Sequence, residues 1–576
     1  MEIPVAASPR SPLMGTILDG AETLSGALAT LVERFPQVDG LTVVTADRQV
    51  RQITMAEFWA RARDVGAALS ARGARPGEIV LIALPTGPEL VAAYFAVILA
   101  GLVPGLVATP TNRVADRRLY ARRVGALLAN ADAAVLYGDE EVAAIFRDLE
   151  TAPLLGRTRL LTPAEVGPAG QAPPPATPDP DAMATVQYSS GSTGTPKGVV
   201  LTHRAMLNNI RAVRAGLRLT PADVSVNWIP LYHDMGLIDA FLLPLLSGCR
   251  TVLIPTMDFL RDPALWLWTV HHYRGALSWA PNFAYAICAK RVPERELEGL
   301  DLSSWRVAIN AAEPVLAATI AAFTTRFRPY GFRPQALTPA WGLAENVTIA
   351  TAHPVDEPPA VEHIDRQELA TGLVARPVAA GPGALASVAI GRCLPGCAVE
   401  IRGPAGEVLP DRGVGTVWLH SDSLFTGYHR DAAATRQVLV DGWLNTGDRG
   451  YRVGDDLFFI AREKDLIVIA GEKYAPHDIE TAINRVPGVR EGCVVAFGML
   501  DEQRGTEDVA AVVETKEADA AALERLREAI REAVMDSTGL ALRHVLLVPP
   551  GGVEKTTSGK LARRATRQRW AEQLVS

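Results

Sequence analysis

The sequence has little cysteine: five residues in 576, at positions 249, 288, 393, 397 and 493. Only Cys393 and Cys397 are close, and no second pair or histidine cluster completes a metal-binding set, so reduced structural thiols in a cytoplasmic protein are expected. An excess of positive charge is also missing. With 57 Lys+Arg against 64 Asp+Glu the formal net charge is −7, which argues against nucleic acid as a main partner. An uninterrupted hydrophobic run of membrane length is lacking as well. Leu90 to Ala108 carries no charge over 19 residues, which is long enough to span a bilayer. Gly101, Pro104 and Gly105 divide it into a helix and a short apolar strand, so no transmembrane segment is expected. The N-terminal MEIPVAASPRSPLMG has no basic region followed by an apolar core, and no signal peptide is expected. We find no internal repeat.

What is present is ample material for buried sheets. Apolar residues make up 48% and charged residues 21%, an ordinary globular balance, and the length requires at least two domains. Helical spacing over Ala56–Arg72 gives way to β-like Ile79–Leu84, and further β-like runs follow at Ala133–Tyr137 and Arg159–Leu161. This alternation predicts an α/β fold with largely buried sheets. The proline-rich 167–180 cannot sit in a regular element and reads as a linker. Strand-like runs at Val224–Ile229, Thr251–Ile254, Ala276–Trp279 and Trp305–Asn310 each end in a polar or turn signal, where α/β folds place ligands. Residues 351–391 lose periodicity. Cys397–His420 is again β-like, and a boundary falls near Arg462–Asp465. Beyond it the spacing predicts a compact module with strands near Val494 and Val509, a helix over Ala518–Val534, a strand over His544–Val548 and a basic helical tail.

The linker delivers the chain to Val186-Gln187-Tyr188-Ser189-Ser190-Gly191-Ser192-Thr193-Gly194-Thr195-Pro196-Lys197-Gly198. Here a short strand breaks into a loop of hydroxyls and glycines. Glycines let the backbone approach an anion and turn its N–H groups inward, hydroxyls add donors, and Lys197 adds a mobile positive charge. This is a phosphate cradle by its chemistry, although the Gly-Lys-Ser/Thr spacing of a P-loop is missing.

Tyr188–His203, YSSGSTGTPKGVVLTH, resembles the signature loop of the adenylate-forming superfamily of acyl-CoA synthetases, peptide-synthetase adenylation domains, luciferases and fatty acyl-AMP ligases. Further motifs extend the resemblance from about residue 20 to the C-terminus. It implies a large multi-layer N-terminal domain with β-sheet subdomains, residues 1–463, that binds ATP and the acid. A small mobile C-terminal α/β domain, 464–576 and of α+β type as a lobe, would carry the catalytic lysine. By resemblance Ser189, Ser190, Gly191, Ser192, Thr193, Gly194 and Lys197 hold the nucleotide phosphates.

The other motifs imply the remaining roles. Trp341-Gly342-Leu343-Ala344-Glu345 resembles the family Tyr-Gly-x-x-Glu, in which the aromatic stacks on adenine and the acid, here Glu345, reaches Mg²⁺. Trp341 keeps a π-face but loses the tyrosine hydroxyl. Asn310-Ala311-Ala312-Glu313-Pro314 resembles the adenine-contacting Asn-Gly-Ala-Glu-Pro, with Ala311 predicting a less permissive backbone at the glycine position. Asp448 in Thr446-Gly447-Asp448 would accept the ribose hydroxyls, and Arg462 would contact the ribose too. Lys464 matches the hinge about which the domains swivel. Lys560, in a Lys-Thr-x-Ser-Gly-Lys context preceded by Glu554 instead of proline, matches the lysine that bridges the attacking carboxylate and the α-phosphate. His233, in Tyr-His-Asp-Met-Gly, would gate the acyl site; a carboxylate nucleophile has no proton for it to remove at neutral pH.

Three features resemble fatty acyl-AMP ligases in particular: Pro230–Ile238, the extra segment at about 361–385, and Gly471–Glu480, where Ala475 and His477 depart from the family Tyr-Pro-Gln-Asp-Ile-Glu run. The resemblance implies activation of a fatty acid with ATP and Mg²⁺, then transfer to the phosphopantetheine thiol of an acyl carrier protein supplied in trans. The rivals are an acyl-CoA synthetase using free coenzyme A and a non-catalytic adenylate-binding protein. The extra segment is expected as an aperiodic lobe on the surface that restrains the swing about Lys464. Arg563, Arg564, Arg567 and Arg569 form the densest basic patch for an acidic carrier.

Overall fold

The computed structural model describes residues 15–110, 117–168, 174–189, 197–371, 373–381, 383–469, 472–501, 506–556 and 559–575. Its largest sheet has nine strands. At its centre Asp39–Val44, Arg250–Leu253, Val224–Asn227, Leu277–Ala280, Val307–Asn310 and Leu337–Gly342 lie side by side in that order and run parallel. Parallel neighbours need crossovers, supplied here by the helices Ala264–Tyr273, Asn282–Arg291 and Ala317–Phe327. Helices leave the sheet covered, which is why these strands read as short apolar runs and not as alternating ones. Trp228, Trp266, Trp279 and Trp305 are fully buried in the same core. Antiparallel Val50–Thr54 closes one edge, and Ile349–Ala352 with Arg392–Cys393 the other.

A second sheet of four parallel strands contains Val103–Leu106, Ile79–Ala83, Val135–Gly138 and Arg159–Leu161. The uncharged 90–108 region divides as its glycines imply. Helix Pro88–Leu99 is buried from Leu90 to Leu99, and Gly101 takes φ 70 in the turn before the strand. No helix among the described residues is long and apolar enough to cross a membrane. The described part of the linker forms no regular element. It is tied down by the Ala176 N–H on the Leu99 carbonyl (2.7 Å) and by the Ser25 hydroxyl on the Ala176 carbonyl (2.8 Å).

Met183–Ser189, Lys197–Thr202 and Gly427–Tyr428 make a small antiparallel sheet. A larger one contains Cys397–Arg402, Gly415–Ser421, Trp443–Val453 and Asp456–Arg462. The C-terminal module has its own apolar cluster, built from Ile479, Ile483, Val494, Val509, Ile530 and Val534. Its sheet pairs Val489–Asp501 with Thr506–Thr515, and the latter runs parallel to Leu542–Val548.

The segment at 361–385 departs from expectation. It is no aperiodic lobe: Val361–Asp365 and Ala384–Val388 form an antiparallel pair, with helix Arg366–Thr371 beside them. Ile364, Leu369 and Ala375 are buried in a cluster with Tyr451, Phe458, Ile460 and Ala475. Strands of five residues with mixed burial are too short for period-2 alternation to stand out.

The junction between this segment and the main sheet depends on Gly391. Its φ is 93, and an added Cβ would meet the Ala352 carbonyl carbon at 1.9 Å. Gly391→Ala is therefore expected to destabilise the protein by at least ~2 kcal/mol, combining a left-handed backbone with a backbone clash. A thermal melt within one degree of the parent would contradict this account of the junction.

Candidate active site

The carboxyl ends of the parallel strands Val224–Asn227, Leu277–Ala280, Val307–Asn310 and Leu337–Gly342 share one edge of the large sheet. The loops leaving that edge carry His233, Asn282–Phe283, Glu313 and Glu345. Lys560 of the C-terminal module enters here. Its Nζ lies 2.9 Å from His233 Nε2, while His233 Nδ1 lies 2.6 Å from Asp234 Oδ1. The Met235 N–H also points to His233 Nδ1 at 3.3 Å, so contacts at both ring nitrogens hold the imidazole in place. Burial pulls the Lys560 ammonium below the ordinary lysine value, and Asp234 and Glu313 oppose that pull. Burial works against ionisation of Asp234 too, yet His233 and Lys560 hold its carboxyl down at about 2. Burial pushes the Glu313 carboxyl up, offset by the Phe283 N–H that it accepts at 2.5 Å and by Lys560 and Lys555. Gly559 packs against Phe283, whose ring a Cβ there would touch at 3.4 Å.

Next to this lies a second group. Asp448 and Arg462 are directly opposed in the antiparallel ladder, and Arg462 Nε is 3.3 Å from Asp448 Oδ1. The Trp341 indole N–H donates to Asp448 Oδ2 at 2.8 Å. Trp341 therefore has a polar handle despite the missing tyrosine hydroxyl, and it aims at the carboxylate predicted for the ribose. Asp448 is buried and its Oδ1 accepts no hydrogen bond. Burial pushes its carboxyl up against the pull of Arg462 and Trp341. An orphaned buried oxygen beside a cation fits an incoming hydroxyl donor. Lys464 sits close by: burial and Arg462 pull its ammonium down, while Asp465, Asp448 and Glu345 oppose them.

The third group surrounds Glu345. The Tyr428 hydroxyl donates to Glu345 Oε1 at 2.7 Å, and Lys197 Nζ stands 4.5 Å from the centre of the Tyr428 ring. Ser189 and Lys197 face one another across the antiparallel ladder that brackets the loop. Ser190, Gly191, Ser192, Thr193 and Gly194, with the Ser189 side chain, lie outside the described residues. Lys197 and Glu345 are thus brought together by a tyrosine that the sequence reading did not single out. Among the described residues no group of three or more potential ligands could hold a metal by itself. Glu345 alone, near Lys197, suits Mg²⁺, which commonly takes one or two carboxylates and completes its shell with phosphate oxygens and water.

In the Asn310–Pro314 turn the backbone constraint is not where expected. Ala312 carries the positive φ of 72, whereas Ala311 has none and is buried. Alanine in place of glycine therefore costs no strain at 311. Asn310 donates through Nδ2 to Asn282 Oδ1 at 3.2 Å, and its own buried Oδ1 accepts nothing.

The basic tail also differs from expectation in part. Arg563 makes a bidentate pair with Glu480 at 3.0 and 2.7 Å, Arg569 bonds to Glu554 at 2.8 Å, and Arg567 lies over the Phe497 ring. Arg563 is thereby committed within the module, whereas Arg567 and Arg569 remain exposed.

Asp448→Ala removes a charged acceptor placed for a sugar hydroxyl. ATP binding is expected to weaken about 10–100-fold, the loss of one to two strong hydrogen bonds. Unchanged ATP affinity in calorimetric titration would remove Asp448 from the nucleotide site.

Comparison with known proteins agrees with this geometry. A family model described as AMP-binding enzyme matches residues 32–429, and one described as Disco-interacting protein 2-like, AMP domain matches 464–576. The chain is 33% identical to the long-chain-fatty-acid–AMP ligase FadD26 of Mycobacterium marinum, over 90% of this chain and 91% of the relative. It is 31% identical to the medium-chain-fatty-acid–[acyl-carrier-protein] ligase JamA of Moorena producens, over 91% of each. A solved structure from work on fatty acyl-adenylate ligases of E. coli and L. pneumophila superposes with a TM-score of 0.87 at 30% identity, covering 98% of this chain and 99% of that one. By these matches the chain belongs to the AMP-binding enzyme family, in its fatty acyl-AMP ligase branch.

Proposed function

We propose that the protein joins a fatty acid to AMP, releasing pyrophosphate, and passes the acyl group to the phosphopantetheine thiol of an acyl carrier protein supplied in trans. The observation that carries this reading is Lys560, seated 2.9 Å from His233 at the carboxyl edge of the sheet and near enough to Asp234, Glu313 and Arg462 for their charges to act on it. Residues 1–463 act as the unit that binds ATP and acid, and 464–576 as the unit that brings Lys560. The cytoplasm is the compartment where ATP and carrier proteins meet such an enzyme.

A carboxylate oxygen of the fatty acid attacks the α-phosphorus of ATP, forming the acyl–phosphate bond as the bond to pyrophosphate breaks. Most of the catalysis is positioning and charge neutralisation. Asp448 and Arg462 fix the ribose, Trp341 and the Asn310–Glu313 turn border the base, and Lys197 takes the departing phosphates with the loop before it. Lys560 draws the carboxylate and the α-phosphate oxygens together, with His233 and Asp234 holding its ammonium in place. Glu345, oriented by Tyr428, is the residue that would hold Mg²⁺, whose charge neutralises the phosphates. The test is a panel of fatty acids incubated with ATP and analysed by mass spectrometry. Acyl-AMP from one or more chain lengths supports the reading, and no acyl-AMP from any of them refutes it.

A carrier thiol is favoured over free coenzyme A by one contact between the extra segment and the C-terminal module. Arg366 Nη1 lies 2.9 Å from Asp478 Oδ2, with both side chains largely buried. Ala475 packs in the same cluster as Ile364 and Leu369. This latch resists the swing about Lys464 that thiol attack requires, a cost that docking of a carrier protein can offset and free coenzyme A cannot. Since ~1.4 kcal/mol changes a conformational population about tenfold, one buried pair is enough to matter. Arg366→Ala should leave acyl-AMP formation intact and raise acyl-CoA formation about tenfold. If the variant adenylates normally and still makes no more acyl-CoA than the parent, the latch is not what excludes the coenzyme.

A further inference from the structure

The turn that carries Glu345 ends in an unusual shape. Val347 has φ 66 and ψ −64, and the Thr348 N–H donates to the Asn346 carbonyl at 2.7 Å. These are the marks of a γ-turn with a left-handed centre, a rare and strained form. A β-branched residue suits that region poorly, and Val347 is fully buried. Such strain persists only where the surroundings over-determine the backbone.

The surroundings here are a closed set of side chains. Asn209, on helix His203–Gly216, donates its amide hydrogens to the Asn346 and Ile349 carbonyls at 3.1 Å each. These two bonds fix its orientation, so its Oδ1 receives the Thr348 hydroxyl at 2.6 Å. Thr348 Oγ1 also lies 3.0 Å from Asp239 Oδ1. The one hydroxyl hydrogen of Thr348 thus faces two acceptors, Asn209 Oδ1 and Asp239 Oδ1. Asp239 is 1% exposed. Burial and the neighbouring Asp234 push its carboxyl well up, while Thr348 opposes them. Asp239 belongs to the π-helical stretch Met235–Leu242 that directly follows His233 and Asp234. Gly342 completes the arrangement, since a Cβ there would come within 2.2 Å of the Thr348 carbonyl oxygen.

We infer that Asn209, Thr348 and Asp239 are positioning residues, a buried clamp that fixes the γ-turn and through it the direction of the Glu345 carboxylate. The inference rests on the reading of Glu345 as the residue that holds Mg²⁺. It also joins the segment that meets Lys560 to the segment that carries Glu345, so the two halves of the site are set by one hydrogen-bond chain.

The test uses the full-length protein and three measurements: Mn²⁺ binding with α,β-methylene-ATP followed by electron paramagnetic resonance, the Mg²⁺ dependence of ATP–pyrophosphate exchange, and the melting temperature. Residues that orient a metal ligand typically contribute 10–100-fold in metal affinity. Thr348→Val should weaken Mn²⁺ binding and raise the Mg²⁺ requirement by 10–100-fold, leaving the KM for fatty acid within twofold. Thr348→Ser should restore both. Asp239→Asn, which keeps an acceptor oxygen for Thr348 in the same place, should stay within threefold of the parent, whereas Asp239→Leu should follow Thr348→Val. The clamp is refuted if Thr348→Val leaves metal binding within twofold, or if all parameters and the melting temperature fall together without rescue by serine. If Thr348→Val does not fold, equal metal affinities for Asp239→Asn and Asp239→Leu refute it. Glu345→Ala separates the two levels: if it does not change the Mg²⁺ requirement, the metal reading itself is wrong, and if it does while Thr348→Val does not, only the clamp fails.

Discussion

The arrangement turns on a lysine ammonium held partly out of water. Lys560 reaches out of its own module and is half-buried at the carboxyl edge of the large sheet, where desolvation disfavours the charged form. Asp234 and Glu313 supply the opposing field, and His233 stands 2.9 Å from its Nζ. A buried charge is tolerable only with such partners. The seat for Lys560 is supplied by residues distant from it in sequence. It comes from two loops of one sheet edge, which follow Val224–Asn227 and Val307–Asn310, both fully buried strands. An acyl carboxylate and an α-phosphate would bring further negative charge to the same ammonium, so substrate and closure reinforce one another.

The same edge also sets the distances between the other groups. Asp448 and Arg462 need no convergence of remote loops, because they oppose each other across one β-hairpin. Trp341 reaches that pair from the end of a sheet strand. Glu345 and Lys197 belong to different sheets, and Tyr428 joins them with its hydroxyl on one and its ring on the other. The largely buried pair of Arg366 and Asp478 holds the C-terminal module at a second point. Lys560 and Asp478 are thus two separate contacts of the C-terminal module with the rest of the chain.

Much of this was legible in the sequence, for physical reasons that differ from residue to residue. The buried parallel strands stood out because they are short apolar runs ended by turn residues, as at Val224 and Val307. Asp448 and Arg462 stood out by motif, and hairpin register explains their fourteen-residue separation. Tyr428 did not stand out, since its strand is two residues long and its partners are distant in sequence. The Arg366–Asp478 latch was hidden for the same reason, and so was the hairpin at 361–388. Nothing in a valine signals a left-handed γ-turn, so the shape at Val347 could come only from tertiary contacts. At Ala311 the motif pointed to a strained backbone one residue away from where it occurs.

The seating of Lys560 is the claim on which the rest stands, and a single-turnover measurement addresses it most directly. Enzyme in excess is mixed with ATP and a fatty acid that the parent activates, and acyl-AMP is followed by rapid quench. Loss of one charge-stabilising donor at a reacting centre costs on the order of 10²–10³ in rate. The account predicts that Lys560→Ala forms acyl-AMP slower by that factor, with an unchanged melting temperature for the N-terminal part. A rate within threefold of the parent would contradict it.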